Sequence, residues 1–179
     1  MKLTAIILAG GKSSRMGQDK GLVFYRGQRM VEYVVSACKE LTSDILISTN
    51  NPEYSFLRYK LIKDNFKQLG PIGGIQAGLA ASKTNENIFC PCDMPGIQSE
   101  VLKKILDKKN GLQVVVAADS KGKLFPVLGY YNKSALPAIE KQIAKGDFKM
   151  QHLLKELNAQ TIIFPEEILK NINYPEDLQ

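Results

Sequence analysis

Residues Leu8 to Lys20 read LAGGKSSRMGQDK and follow the apolar run Leu3-Thr4-Ala5-Ile6-Ile7-Leu8. A short apolar run ended by glycine predicts a buried strand leaving a sheet at its carboxyl end. That end is where open α/β sheets place their ligands. Gly10, Gly11 and Gly17 let the backbone approach a ligand closely and turn successive N–H groups onto an anion. Lys12, Arg15 and Lys20 supply the mobile positive charge that a polyphosphate requires. The segment therefore predicts a triphosphate site; the competing reading is a solvated basic turn after a strand. It is not a P-loop, which needs Lys and then Ser or Thr after its last glycine, because Gln18 follows Gly17. The dinucleotide pattern G-x-G-x-x-G is also absent.

Asp93 follows a second apolar run, Ile88-Phe89-Cys90-Pro91-Cys92. Its carboxylate is expected at the same sheet edge as the glycine loop. One hard carboxylate, completed by phosphate oxygens and waters, is how Mg²⁺ is usually held. Asp93 is thus the candidate metal ligand, and a cap on the turn before Pro95 is the alternative. Cys90 and Cys92, two apart in a strand, face the same side. A zinc site needs about four ligands, and beyond this pair the chain offers one further cysteine, Cys38, in a helical segment and one distant histidine. Cys90 and Cys92 are therefore expected to be core thiols. That histidine, His152, precedes Leu153 and Leu154 in an amphipathic segment and is expected to be structural. Phosphoryl and nucleotidyl transfer need neither a histidine base nor a covalent nucleophile. Positioning, a metal and cations suffice.

These motifs resemble the molybdenum cofactor guanylyltransferase family of nucleotidyltransferases. The loop is similar to that family's L-A-G-G-x-S-x-R-M-G-x-D-K, and Cys90-Pro91-Cys92-Asp93-Met94-Pro95 to its C-x-C-D-x-P. Gly70-Pro71-Ile72-Gly73-Gly74 resembles its G-P-[LI]-x-G turn, preceded by Asp64, and Asn171-Ile172-Asn173-Tyr174-Pro175-Glu176-Asp177-Leu178 its N-x-N-T-P-E-[DE]-L. The resemblance implies nucleotide contacts at Leu8, Ala9, Gly10, Gly11, Asn50, Asp64, Gly70 and Gly73. It implies Arg15 and Lys20 on the β- and γ-phosphates and Asp93 on Mg²⁺. Asn171 and Asn173 would face the pterin side. Two of these keep alternatives: Asn50 as an Asx turn, and Asn173 with Glu176 as a capping box. The chain departs from the family on the acceptor side. Phe125-Pro126-Val127 stands where the family has H-P-T, and Gly146-Asp147-Phe148-Lys149 where it has G-x-R-[RS].

The remaining chain must position these groups. Its 179 residues, 44% hydrophobic and 23% charged, suit one domain spanning 1–179. No apolar stretch approaches the ~20 residues of a membrane helix. The short amino-terminal run does not match a signal peptide, so a cytoplasmic protein without a membrane partner is expected. The net charge of +6 suits anionic ligands. Lys103, Lys104, Lys108 and Lys109 share a helical segment with Asp107, without the aromatic residues that stack bases. Small anionic substrates are therefore expected rather than nucleic acid.

Helical spacing of Val31, Val34, Val35, Cys38 and Leu41 predicts a helix over 30–41. Strands are predicted at 44–49, 59–62, 87–92, 113–118, 124–131 and 161–164. Gly70–Gly74 reads as a turn before a small-residue helix over 75–81. Ser99 reads as the N-cap of a helix reaching Lys109, with Gly111 as its stop. Ser134 reads as the cap of a helix reaching Ala144, and a further helix covers 150–157. Alternating strands and helices predict an α/β fold: a Rossmann-like three-layer αβα sandwich on a mostly parallel sheet. The short link Asp119–Lys123 predicts one antiparallel strand pair within it.

Together the residues and the resemblance imply transfer of GMP from GTP to the terminal phosphate of molybdopterin, with Mg²⁺ as cofactor. Proteins of cofactor biosynthesis or molybdoenzyme maturation are candidate partners. The alternatives are a cytidylyltransferase, an NTP transferase acting on molybdopterin or on a sugar or polyol phosphate, and a non-catalytic GTP-binding module.

Overall fold

The computed structural model describes residues 2–10, 19–63 and 69–172. Seven strands form one sheet, ordered by chain position 3-2-1-4-6-5-7. They are β1 (Leu3–Leu8), β4 (Ile45–Ser48), β5 (Lys60–Ile62), β6 (Glu86–Pro91), β7 (Val114–Ala118), β8 (Leu124–Asn132) and β9 (Gln160–Ile163). β1 lies at the centre of the parallel half, paired to β4 through Ala5↔Ile45 and to β6 through Ala5↔Ile88. Two further strands, β2 (Phe24–Tyr25) and β3 (Gln28–Arg29), make a separate small hairpin.

Strict alternation along β1 divides the core. Ala5 and Ile7 pack on α1 (Met30–Lys39) and α3 (Ser99–Asp107), whereas Ile6 packs on α2 (Pro71–Ala81). The second face also takes α4 (Leu136–Ala144) and α5 (Met150–Glu156) through Ile139, Leu153 and Leu154. This is the three-layer sandwich that the pattern predicts. Burial of β1 on both faces explains why its sequence is apolar except at Thr4, whose buried hydroxyl donates to Asp44.

The predicted antiparallel pair is β7–β8, and β8 also runs antiparallel to β6. Along β7 the register jumps from Val116↔Gly129 to Ala117↔Phe125, leaving Pro126, Val127 and Leu128 unopposed. Along β6 the pairing with β8 ends at Phe89↔Gly129. The two strands therefore separate where β6 continues beside β1, and the sheet opens at its carboxyl edge. Gly129 is required at that fork: a Cβ there would lie 2.6 Å from the Val115 carbonyl oxygen.

Three local readings differ from the structure. The predicted turn Gly70–Gly74 is the start of α2, because Pro71 occupies a first-turn position with its φ already helical and Gly70 precedes it at φ 65°. Ser99 is the first residue of α3 rather than its cap; its hydroxyl donates to Glu40 Oε2 at 2.6 Å instead. Asn132, not Ser134, caps the turn ahead of α4, accepting from the Ser134 N–H. The hairpin β2–β3 carries no sequence pattern, since its strands are two residues long and its turn sets Arg26 at φ 46° beside Gly27 at φ 92°.

Candidate active site

A cleft of about 650 Å³ opens at the carboxyl edge of the parallel strands, a volume suited to a nucleotide-sized ligand. Its floor is the chain leaving β1. The Ala9 N–H donates to the Ser48 carbonyl at 2.9 Å, and the Cys92 N–H donates to the Leu8 carbonyl at 3.1 Å. Those two bonds hold the strand exits in register and consume the Ala9 N–H and the Leu8 carbonyl, so Gly10, exposed at the lip, is the freer contact. Asn50 is exposed on the lip after β4.

Asp93 stands one residue past the Cys92 that extends β6 along β1, and Lys20 reaches it from across the cleft. Lys20 Nζ lies 3.2 Å from Asp93 Oδ2, with the two side chains 25% and 14% exposed. Partial burial of both ends makes this pair less screened than a surface one. The other carboxylate oxygen, Oδ1, accepts from Asn171 Nδ2 at 3.2 Å. Asn171 is delivered by the returning carboxyl-terminal segment: the Ile172 N–H donates to the Asp93 carbonyl at 2.9 Å. The Ile172 side chain packs with Val23 and Met30.

Facing this pair is the amino end of α2, where Gly70, Pro71 and Gly74 line the cleft. A helix amino terminus favours negative charge through its unsatisfied N–H groups. Gly74 lets the helix lie against β1, a Cβ there meeting Leu8 Cδ2 at 3.2 Å. Gly73 is buried, its N–H donating to the Gly70 carbonyl at 3.2 Å. Because the segment is helical, Gly74 takes the lining position that Gly73 was expected to hold.

Of the expected site residues, Leu8, Ala9, Gly10, Lys20, Asn50, Gly70, Asp93 and Asn171 converge on this one cleft. Gly11, Arg15, Asp64 and Asn173 lie outside the described residues. The other lining residues were not anticipated, among them Asp19, Asn51 and Val127. Asp19 and Asn51 belong to a hydrogen-bonded clamp beneath Lys20. Asp19 Oδ1 accepts from the Tyr54 hydroxyl at 2.5 Å and from the Gly21 N–H at 3.3 Å, and Asn51 Nδ2 donates to Oδ2 at 3.4 Å. The signal available in the sequence was Asn51-Pro52, an N-cap followed by an N1 proline. Val127 enters through the fork in β8, which no periodicity reveals.

All three cysteines are buried and free of disulfides. Cys38 and Cys90 pack sulfur to sulfur at 3.8 Å, and burial pushes the Cys92 thiol well up. Protonated buried thiols of this kind are neither nucleophiles nor ready metal ligands. Among the described residues no group of three or more His, Cys, Asp or Glu side chains comes together to hold a metal. His152 pairs with Asp147 at 2.7 Å on the surface, and that imidazole holds the Asp147 carboxyl below the usual range. Its role is local, in the turn before α5.

The profile of the MobA-like NTP transferase domain matches residues 5–161. The chain belongs to this family. A relative in Flavobacterium johnsoniae, named "Probable molybdenum cofactor guanylyltransferase", is 35% identical across 98% of this chain and 94% of its own. The "Molybdenum cofactor guanylyltransferase" of Vibrio vulnificus is 34% identical across 97% of this chain and 91% of its own. Among solved structures, molybdopterin-guanine dinucleotide biosynthesis protein A from Archaeoglobus fulgidus superposes with a TM-score of 0.76 at 25% identity, over 98% of this chain and 94% of that one. The chain is thus a member of a nucleotidyltransferase family with the family's fold along nearly its whole length. No helix among the described residues is long and apolar enough to cross a membrane.

Proposed function

We propose that this protein transfers GMP from GTP to the terminal phosphate of molybdopterin, forming the guanine dinucleotide and releasing pyrophosphate. The observation that carries this reading is the Lys20–Asp93 pair at 3.2 Å, set between the β1 exit and the amino end of α2. Its support is the naming of relatives that match over nearly the full chain.

In this reading the acceptor phosphate oxygen attacks the α-phosphorus in line, and the bond to the β-phosphate oxygen breaks as pyrophosphate leaves. Lys20, joined by Arg15, neutralises the β- and γ-phosphates and so the developing charge on the leaving group. Backbone groups at Gly10 and at the start of α2 read the base, and Asn171 meets the acceptor side.

The donor set fits Mg²⁺ rather than a transition metal. Two carboxylates line the cleft, Asp93 and Asp19. Asp19 is taken up by Tyr54, Gly21 and Asn51, which leaves Asp93 as the ligand. No group of three or more His, Cys, Asp or Glu side chains comes together among the described residues. Mg²⁺ is commonly bound by one or two carboxylates plus substrate phosphates and waters. When bound there it would supply charge neutralisation and orientation of phosphate oxygens.

The test is competition among GTP, CTP, ATP and UTP at fixed Mg²⁺ with molybdopterin supplied, reading pyrophosphate release. GTP is expected to win by roughly 10⁴-fold if a wrong base leaves buried polar groups unpaired, against about 100-fold from shape alone. Preference for CTP would keep the fold and move the donor to the cytidine nucleotide. Binding without pyrophosphate release would make the protein a nucleotide-binding module.

A further inference from the structure

Lys20 must present a flexible four-carbon arm at a fixed place, yet it sits in a three-residue 3₁₀ turn, Lys20–Leu22, which has little rigidity of its own. What fixes that turn lies outside it. Asp19, its N-cap, accepts from three donors, and two of them come from the segment after β4. Tyr54 is fully buried, and its ring belongs to the core cluster that contains Ala9, Val31 and Cys92. Burial, with the neighbouring Cys92 and Asp19 groups adding to it, holds the phenol far above its ordinary pKa. The hydroxyl therefore stays protonated and able to donate at neutral pH. Asn51 uses both ends of its amide: Oδ1 accepts from the Glu53 N–H at 3.0 Å and Nδ2 donates to Asp19. Gly21 completes the fit, because a Cβ there would lie 2.3 Å from the Tyr54 hydroxyl oxygen.

From this geometry we infer that Tyr54 is the positioning residue of the nucleotide lysine. Its buried hydroxyl holds Asp19, Asp19 holds the 20–22 turn, and the turn aims Lys20 across the cleft. Tyr54 does not touch the nucleotide. It acts through Asp19, and it transmits to the cleft the rigidity of a core side chain. The inference rests on the assignment of Lys20 to the β- and γ-phosphates made above. Small displacements matter there, since misplacing a reactive or charge-stabilising group by about 1 Å can cost on the order of 100-fold.

The experiment measures equilibrium binding of GTP with Mg²⁺, and of GMP, to the wild type, Tyr54→Phe, Lys20→Ala and the double variant. Tyr54→Phe keeps the ring in the core and removes one donor. It is expected to weaken GTP by about tenfold with GMP changed less than about threefold. Lys20→Ala is expected to show the same selectivity with a larger loss. In the Tyr54→Phe background, Lys20→Ala should cost clearly less than it does alone, since coupled residues are non-additive. A purely structural tyrosine would weaken both nucleotides equally and add independently, which overturns the inference. If Lys20→Ala leaves the GTP-to-GMP ratio unchanged, the phosphate assignment itself has failed and the inference falls with it. If Lys20→Ala is selective but Tyr54→Phe is not, the assignment stands and the positioning role alone is overturned. Should Tyr54→Phe melt below the assay temperature, Asp19→Asn replaces it with the core ring untouched. The same selective loss is then expected, and an unselective one overturns the inference.

Discussion

The two halves of the sheet meet the cleft in opposite ways. On the β5-β4-β1-β6 side, every strand runs parallel and ends at one edge. The cleft is lined there by strand ends and by the residues just beyond them: Gly10 after β1, Asn50 after β4 and Asp93 after β6 each stand two positions past their strand. Sheet hydrogen bonds continue up to the site itself, through Ala9 to Ser48 and Cys92 to Leu8. On the β8-β7-β9 side, β8 reverses direction, and a fork leaves three residues unopposed, of which Val127 meets the cleft. One wall is therefore an array of pinned strand exits, and the other is a bulge held at its ends. Part of that hold is the Tyr131 hydroxyl, which donates to the Pro126 carbonyl at 2.7 Å. Bulges beside functional sites re-aim side chains, and this one delivers Val127 to the cleft. Such a division suits a transferase: charge neutralisation at the donor phosphates needs fixed geometry, whereas the wall that meets an acceptor can vary without disturbing it.

The comparison breaks first if the pinned wall can lose its carboxylate. Asp93→Asn keeps the shape and can still meet Asn171, but removes the charge opposite Lys20. Turnover at saturating Mg²⁺, read as pyrophosphate release, is expected to fall by about 100-fold or more, with the melting temperature little changed. Near-normal turnover would reduce Asp93 to a cap on the turn before Pro95.

How far each wall was legible in the sequence follows from the same physics. Asp93 and Gly10 were readable because a strand exit is a local event: an apolar run stops, and the next polar or glycine residue lands at the edge. The layers were readable because Ile6 against Ala5 and Ile7 is plain alternation. Asp19 stood in the glycine loop, but its partners Asn51 and Tyr54 lie 32 and 35 positions away, and no local pattern joins them. The fork at Gly129 was hidden for a related reason. It depends on which residues of β7 oppose β8, and register is a property of the pair. The start of α2 was obscured by Gly73 and Gly74, which weigh against helix locally, while close packing on the sheet favours them.

Stability offers a sharper contrast between the walls through two glycine substitutions. At Gly129 an added Cβ meets the Val115 carbonyl oxygen at 2.6 Å and the Val116 Cα at 3.1 Å. Both are backbone atoms that cannot rotate away. Gly129→Ala is expected to cost about 1–3 kcal/mol as an overpacking change, a fall of several degrees in melting temperature at this size. At Gly74 the Cβ meets the far end of Leu8 at 3.2 Å, which can yield. Helix propensity then returns up to about 1 kcal/mol, so Gly74→Ala should be near neutral by thermal melting. Equal losses at both positions would mean that the fork is no more constrained than the helix contact.

The smallest expected effect tests whether the bulge faces the acceptor. Val127 is half-buried on the cleft wall, and truncation to alanine removes two methyl groups without touching Lys20, Asp93 or the amino end of α2. Partial burial of those methyls is worth about 0.5–1 kcal/mol. Val127→Ala should therefore raise the KM for molybdopterin by roughly two- to fivefold, while the KM for GTP and the melting temperature stay within error. The bulge is pinned by the Tyr131–Pro126 hydrogen bond and by Gly129, neither of which involves the Val127 side chain, so the loop should keep its course. If the KM for GTP rises instead, Val127 belongs to the donor pocket. The division between a pinned donor wall and a variable acceptor wall would then have to be drawn on the far side of β8.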